Sequence, residues 1–147
     1  MNRITIMFTL ALLTTSTVRG EVLDTLQIYV QRGDSLLEQY NTYEALKHYQ
    51  RAYDCTQAQE VPRQIRLKLA DCQYKRSNYR QATELLKNMP EDSLTHDAFR
   101  QLAYGYKHQG DNGAFMYWAS QLLKHYPMDG EVVAGLSLAG TGADAPR

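Results

Sequence analysis

Residues 98–127 read AFRQLAYGYKHQGDNGAFMYWASQLLKHYP. Phe99, Leu102, Ala103 and Tyr106 recur at spacings of three and four, which places them on one face of an α-helix. Gly110-Asp111 then breaks the pattern with turn chemistry, the aspartate standing where a helix N-cap is wanted. A second apolar set (Phe115, Trp118, Ala119, Leu122 and Leu123) resumes the same period. It stops at Pro127, which cannot continue a helix. This stretch predicts two helices joined by a tight turn.

The same plan recurs toward the N-terminus. Ala103 has small counterparts at Ala70 and Gly33, 33 and then 37 residues earlier. Twelve residues after each marker stand Ala45, Ala82 and Phe115, and seven further on Ala52, Met89 and Leu122. Seven residues after each marker come Tyr40-Asn41, Ser77-Asn78 and Gly110-Asp111, all with turn and cap chemistry. Three helix pairs are therefore expected within 23–127, at about 23–57, 62–89 and 93–127. Pro62 suits a first helical position and Pro90 a stop. A fourth apolar segment at 129–139 reads as a partial helix or cap. The small residues of 140–147 predict a disordered tail. No sustained alternation of period two occurs, so the chain is expected to be all-α.

These residues resemble the tetratricopeptide repeat (TPR) family. Phe99, Leu102, Ala103, Tyr106, Gly110-Asp111 and Pro127 carry the closest match. Tyr29, Gly33, Leu36, Ala45, Tyr49 and Ala52 repeat it in the first unit, and Leu69, Ala70, Tyr79, Ala82 and Leu86 in the second. Arg32, Arg66, Gln73 and Phe115 depart from the family pattern. The resemblance implies an α-solenoid of stacked antiparallel helix pairs forming a right-handed superhelix. Physical reasoning points the same way, because a lone helical hairpin cannot bury both of its apolar faces and needs stacked neighbours.

The N-terminal residues read differently. Met1-Asn2-Arg3 precedes an uncharged run from Ile4 to Thr15, and Val18-Arg19-Gly20 follows. A short basic start, an apolar stretch and a small-residue exit make the layout of a secretory signal peptide over 1–20. The apolar run is too short to span a bilayer, so no integral membrane segment is expected in the mature form. The whole chain of 147 residues has 16 basic and 16 acidic side chains. Loss of Arg3 and Arg19 leaves 14 basic residues and a net charge of −2. That balance argues against binding nucleic acid through its phosphates. The layout points to export, with bacterial periplasm or cell envelope as the expected compartment and secretion as the alternative.

Catalytic motifs are missing from the sequence. His48, His96, His108 and His125 show no metal-ligand spacing, and neither HExxH nor CxxC occurs. There is no GxSxG and no phosphate-cradling glycine loop. Cys55 and Cys72 are expected as two free, mostly buried thiols. Cys72 lies about ten residues into the next helix, roughly 15 Å along its axis, and a disulfide needs Cα atoms within ~7 Å. Most of the eleven tyrosines are expected to face the core or pack between helices, and some to line the inner surface.

The resemblance further implies that the first helix of each unit lines a concave groove for a peptide or partner protein. By position, that face would present Val30, Asp34 and Leu37, then Leu67, Asp71 and Tyr74, then Arg100, Tyr104, Lys107 and His108, with Asp97 beside them. The expected function is a non-catalytic, exported interaction module with no cofactor and no metal. The alternatives are an N-terminal piece of a longer envelope solenoid, or a small-ligand carrier or enzyme subunit.

Overall fold

The computed structural model describes residue 20, residues 23–56 and residues 61–141. The signal segment expected over 1–20 lies outside these residues save for Gly20, as does the tail beyond 141. The chain divides into two units, Met1–Val61 and Pro62–Arg147. The described residues are helices and turns without a strand.

In the first unit, helix α1 covers residues 23–38 and α2 covers Thr42–Asp54. Their connection is a Schellman turn: the N–H of Asn41 donates to the Leu36 carbonyl at 2.8 Å and that of Tyr40 to Leu37 at 2.9 Å. Tyr40 sits in the left-handed region at φ 58°. Asn41 then caps α2, its side-chain oxygen accepting the Glu44 N–H at 3.2 Å. Across the pair, Gly33 faces Tyr49. A Cβ at Gly33 would lie 2.6 Å from Cε1 of that ring, and the Tyr49 hydroxyl donates to Asp34 at 2.5 Å. Gly33 is thus required by close approach, not by backbone conformation.

The second unit holds α3 (Arg63–Lys75), α4 (Tyr79–Leu86), a 3-10 turn (Glu91–Ser93), α5 (His96–His108), α6 (Asn112–His125) and α7 (Gly130–Thr141). Each α-helix packs on the next, and α3 also packs on α5. The turn of the first unit occurs here twice. Ser77 and Asn78 donate back to Tyr74 and Gln73, both at 2.9 Å, while Gly110 and Asp111 donate to Lys107 and Tyr106, both at 3.0 Å. Ser77 has φ 62° and Gly110 φ 80°. Asp111 caps α6 through the Ala114 N–H at 2.9 Å. Asn78 spends its amide on Gln73 instead, at 2.8 Å. Three left-handed residues thus occupy one repeat position.

Burial follows the same register. Ala45, Ala82 and Phe115 are buried, as are Ala52, Met89 and Leu122. Sixteen residues after the markers stand Tyr49, Leu86 and Ala119, all fully buried. The second unit's core gathers Leu86, Phe99, Leu102, Phe115, Leu122 and Val132. Each such side chain contributes about 1.5–3 kcal/mol when fully buried. Phe115, large where the other units have alanine, packs toward Gly135 of α7, where an added Cβ would make ordinary van der Waals contact with the ring tip at 3.7 Å.

Tyr49 is fully buried, Tyr29, Tyr53, Tyr74, Tyr79, Tyr104 and Tyr106 are half-buried, and Tyr40, Tyr43, Tyr117 and Tyr126 are exposed. A phenol tolerates exposure because its hydroxyl keeps its water. Two local expectations need correction. Cys55 is a free thiol but exposed, at the end of α2 where the helical face runs out; Cys72 is free and buried. Gly140 and Thr141 continue α7, so helix reaches two residues into the stretch expected to be a tail.

Candidate functional site

The candidate site lies in the second unit, on the face shared by α3 and α5. A cleft of about 470 Å3 is lined by Asp71, Tyr74 and Lys75 of α3, and by Asp97, Arg100, Gln101, Tyr104 and His108 of α5, with Glu131 of α7 beside them. Helical spacing creates this face. Asp71, Tyr74 and Lys75 recur at three and four, as do Asp97, Arg100, Gln101, Tyr104 and His108, so each set projects from one side of its helix.

The α3 side is tied together by ion pairing. Lys75 lies 2.7 Å from Asp71, and this contact raises the lysine's pKa. Gln101 donates its amide to the other Asp71 oxygen at 2.9 Å, linking α5 to α3. Tyr74 packs edge-on against Tyr79 with ring centroids 5.3 Å apart, and Tyr79 stacks on His108 at 4.3 Å. Burial pushes the Tyr74 hydroxyl's pKa up, Tyr79 adds to the rise, and Arg100 partly opposes it. Tyr104 is raised for the same first reason, with Glu131 adding and Arg100 opposing. Both phenols stay neutral and can donate hydrogen bonds.

Arg100 is committed within the chain. Its guanidinium meets Asp129 at 3.0 Å and also pairs with Glu131. Asp129 is the N-cap of α7: its Oδ1 accepts the Val132 N–H at 3.2 Å and its Oδ2 meets His96 Nε2 at 2.8 Å. The carboxylate is almost wholly enclosed. Burial alone would raise its pKa, but the Val132 N–H, His96 and Arg100 outweigh that and hold it below the usual aspartate range. This node fastens α7 to α5. A second cavity, of about 590 Å3, opens beside it between His96, His125, Tyr126 and Met128.

Of the residues expected on the groove, Asp71, Tyr74, Asp97, Arg100, Tyr104 and His108 line the one cleft. Lys107 lies instead over the rings of Phe115 and Tyr104, at 5.1 and 5.7 Å. Leu67 packs against the core cluster. Val30, Asp34 and Leu37 sit half-buried on α1 of the first unit, where Asp34 accepts the Tyr49 hydroxyl. Lys75, Gln101 and Glu131 were not anticipated. Lys75 carries a sequence signal, standing four residues after Asp71. The other two depend on contacts 30 or more residues apart.

Among the described residues no three His, Cys, Asp or Glu side chains group as a metal site. No described helix is long and apolar enough to cross a membrane. No protein-family model matches the sequence, and no curated protein does. Among solved structures, the N-terminal domain of stress-induced protein-1 (STI-1) from C. elegans is similar, with a TM-score of 0.60 at 14% identity. The match covers 79% of this chain and 94% of that one. So distant a likeness speaks for the fold alone. In fold, the chain is an all-α protein of tetratricopeptide-like helix pairs.

Proposed function

We propose that this chain is an exported, non-catalytic interaction module that binds a partner protein or peptide on the faces of its first helices. The observation that carries this reading is the cleft where α3 and α5 present Tyr74, Tyr104, Asp97 and His108 side by side. Half-buried tyrosines beside polar groups suit recognition, because an aromatic anchor contributes area at low entropic cost. On α1, Val30, Asp34 and Leu37 belong to the same proposal for the first unit. Export rests on the N-terminal pattern, with the bacterial envelope as the favoured compartment.

The test is affinity capture from the native envelope with the intact chain, a Tyr74→Ala/Tyr104→Ala variant and a Tyr117→Ala control. Arg100 is left unchanged because its loss would release α7. The reading expects co-purifying proteins to be lost with the double variant and kept with the control. An unchanged set would overturn it. Export is tested separately by the mass of the secreted form, expected to begin at Glu21.

A further inference from the structure

We infer that the α3–α5 cleft takes a cationic segment of its partner, with a lysine or arginine side chain seated against Asp97 and the tyrosine rings. This rests on the interaction reading above and adds the chemistry of what is bound. The cleft is lined by three carboxylates, Asp71, Asp97 and Glu131, against two permanent cations, Lys75 and Arg100. Both cations are already engaged. Lys75 meets Asp71 at 2.7 Å, and Arg100 meets Asp129 at 3.0 Å and pairs with Glu131. Asp97 stands in the first turn of α5 and forms no ion pair or hydrogen bond with any described residue. The cleft therefore offers an arriving partner a carboxylate that no ion pair holds, its charge acting at a distance on Lys75, while both permanent cations are already paired.

An acidic partner faces a competition it is poorly placed to win. To reach Arg100 it must displace Glu131, which the chain itself holds nearby at high effective concentration. It must also weaken the support of Asp129, whose enclosed carboxylate would be left short of a partner. A cationic group meets neither obstacle. It gains Asp97 directly, and the tyrosine faces attract it through their ring quadrupoles. Tyr104 already illustrates this, its ring lying 5.9 Å from Arg100 and 5.7 Å from Lys107. A cleft of about 470 Å3 has room for a small group of side chains, not a single ion.

The test is fluorescence polarisation with the full chain and three labelled pools of short extended peptides. The pools are matched in apolar residues and differ only in carrying Lys/Arg, Asp/Glu or Gln at the remaining positions. The Lys/Arg pool is expected to bind best and to weaken with added salt. Asp97→Asn is expected to weaken it by about three- to tenfold, with an unchanged helical circular dichroism spectrum. Tyr74→Ala should weaken it as well, and Tyr117→Ala should leave it unaltered. Equal or better binding of the Asp/Glu pool, still sensitive to Tyr74→Ala, overturns the cationic inference and keeps the interaction reading. Binding that responds to neither Tyr74→Ala nor Asp97→Asn in any pool overturns both.

Discussion

Replacing Gly33 by alanine separates two opposed effects. In a helix interior, alanine is favoured over glycine by about 0.8–1.0 kcal/mol. At this position the added Cβ would fall 2.6, 2.7 and 3.0 Å from three atoms of the Tyr49 ring, where carbon atoms rest at about 3.5–4.0 Å. The ring cannot easily give way, because it is fully buried and its hydroxyl is tethered to Asp34. Overpacking of this kind costs about 1–3 kcal/mol, so the clash outweighs the propensity gain and Gly33→Ala is expected to destabilise by up to about 2 kcal/mol. Ala70 with Leu86 stands at the matching repeat positions, which supplies the rescue. Gly33→Ala/Tyr49→Leu recreates that pair and should show a favourable coupling of at least about 1 kcal/mol in a double-mutant cycle. Urea unfolding followed by circular dichroism reads all four proteins. A more stable Gly33→Ala, or effects that simply add, would refute the packing argument.

Tyr40 and Ser77 hold left-handed conformations that favour glycine. Tyr40 is also 95% exposed, so little packing is lost on replacement. Tyr40→Gly and Ser77→Gly should each stabilise by about 0.5–1 kcal/mol in urea melts. The depressed Asp129 pKa fixes a sign for acid behaviour. Its contribution is complete above the ordinary aspartate value of about 3.9 and is lost as pH falls through the lower folded value. The protection of the amides of residues 132–137, measured relative to their intrinsic exchange rates, should therefore fall in that acid range, and Asp129→Asn should abolish the dependence there. Burial, aided by Asp71 and opposed by Lys75 and Lys68, pushes the Cys72 thiol up to about 11. Alkylation near neutral pH should thus label only the exposed Cys55 in the folded chain, and both thiols once it is unfolded, as mass spectrometry would count.

Local features were the most legible in the sequence. Tyr40-Asn41, Ser77-Asn78 and Gly110-Asp111 are short-range signals, and each marks a helix break because turn and cap bonds reach at most five residues. Asp71, Tyr74, Asp97, Arg100, Tyr104 and His108, which the family resemblance together with helical period sets on the faces of first helices, line one cleft. Illegible were the consequences of distant pairing. Nothing near Arg100 announces that Asp129 and Glu131 will claim it, and nothing near Lys107 announces the Phe115 ring. Gly105 went unnoticed, yet a Cβ there would sit 2.7 Å from the Thr83 methyl on α4. Its requirement lies on the neighbouring helix, which a pattern along one helix cannot display.

The fold rests on one helix–turn–helix plan used three times. Backbone chemical shifts from NMR test this most directly, because they report helix and left-handed residues position by position. Helical shifts are expected through Thr42–Asp54, Arg63–Lys75, His96–His108 and Asn112–His125, broken by left-handed values at Tyr40, Ser77 and Gly110. Extended shifts within any of those spans, or helix running unbroken through one of the three turns, would contradict it.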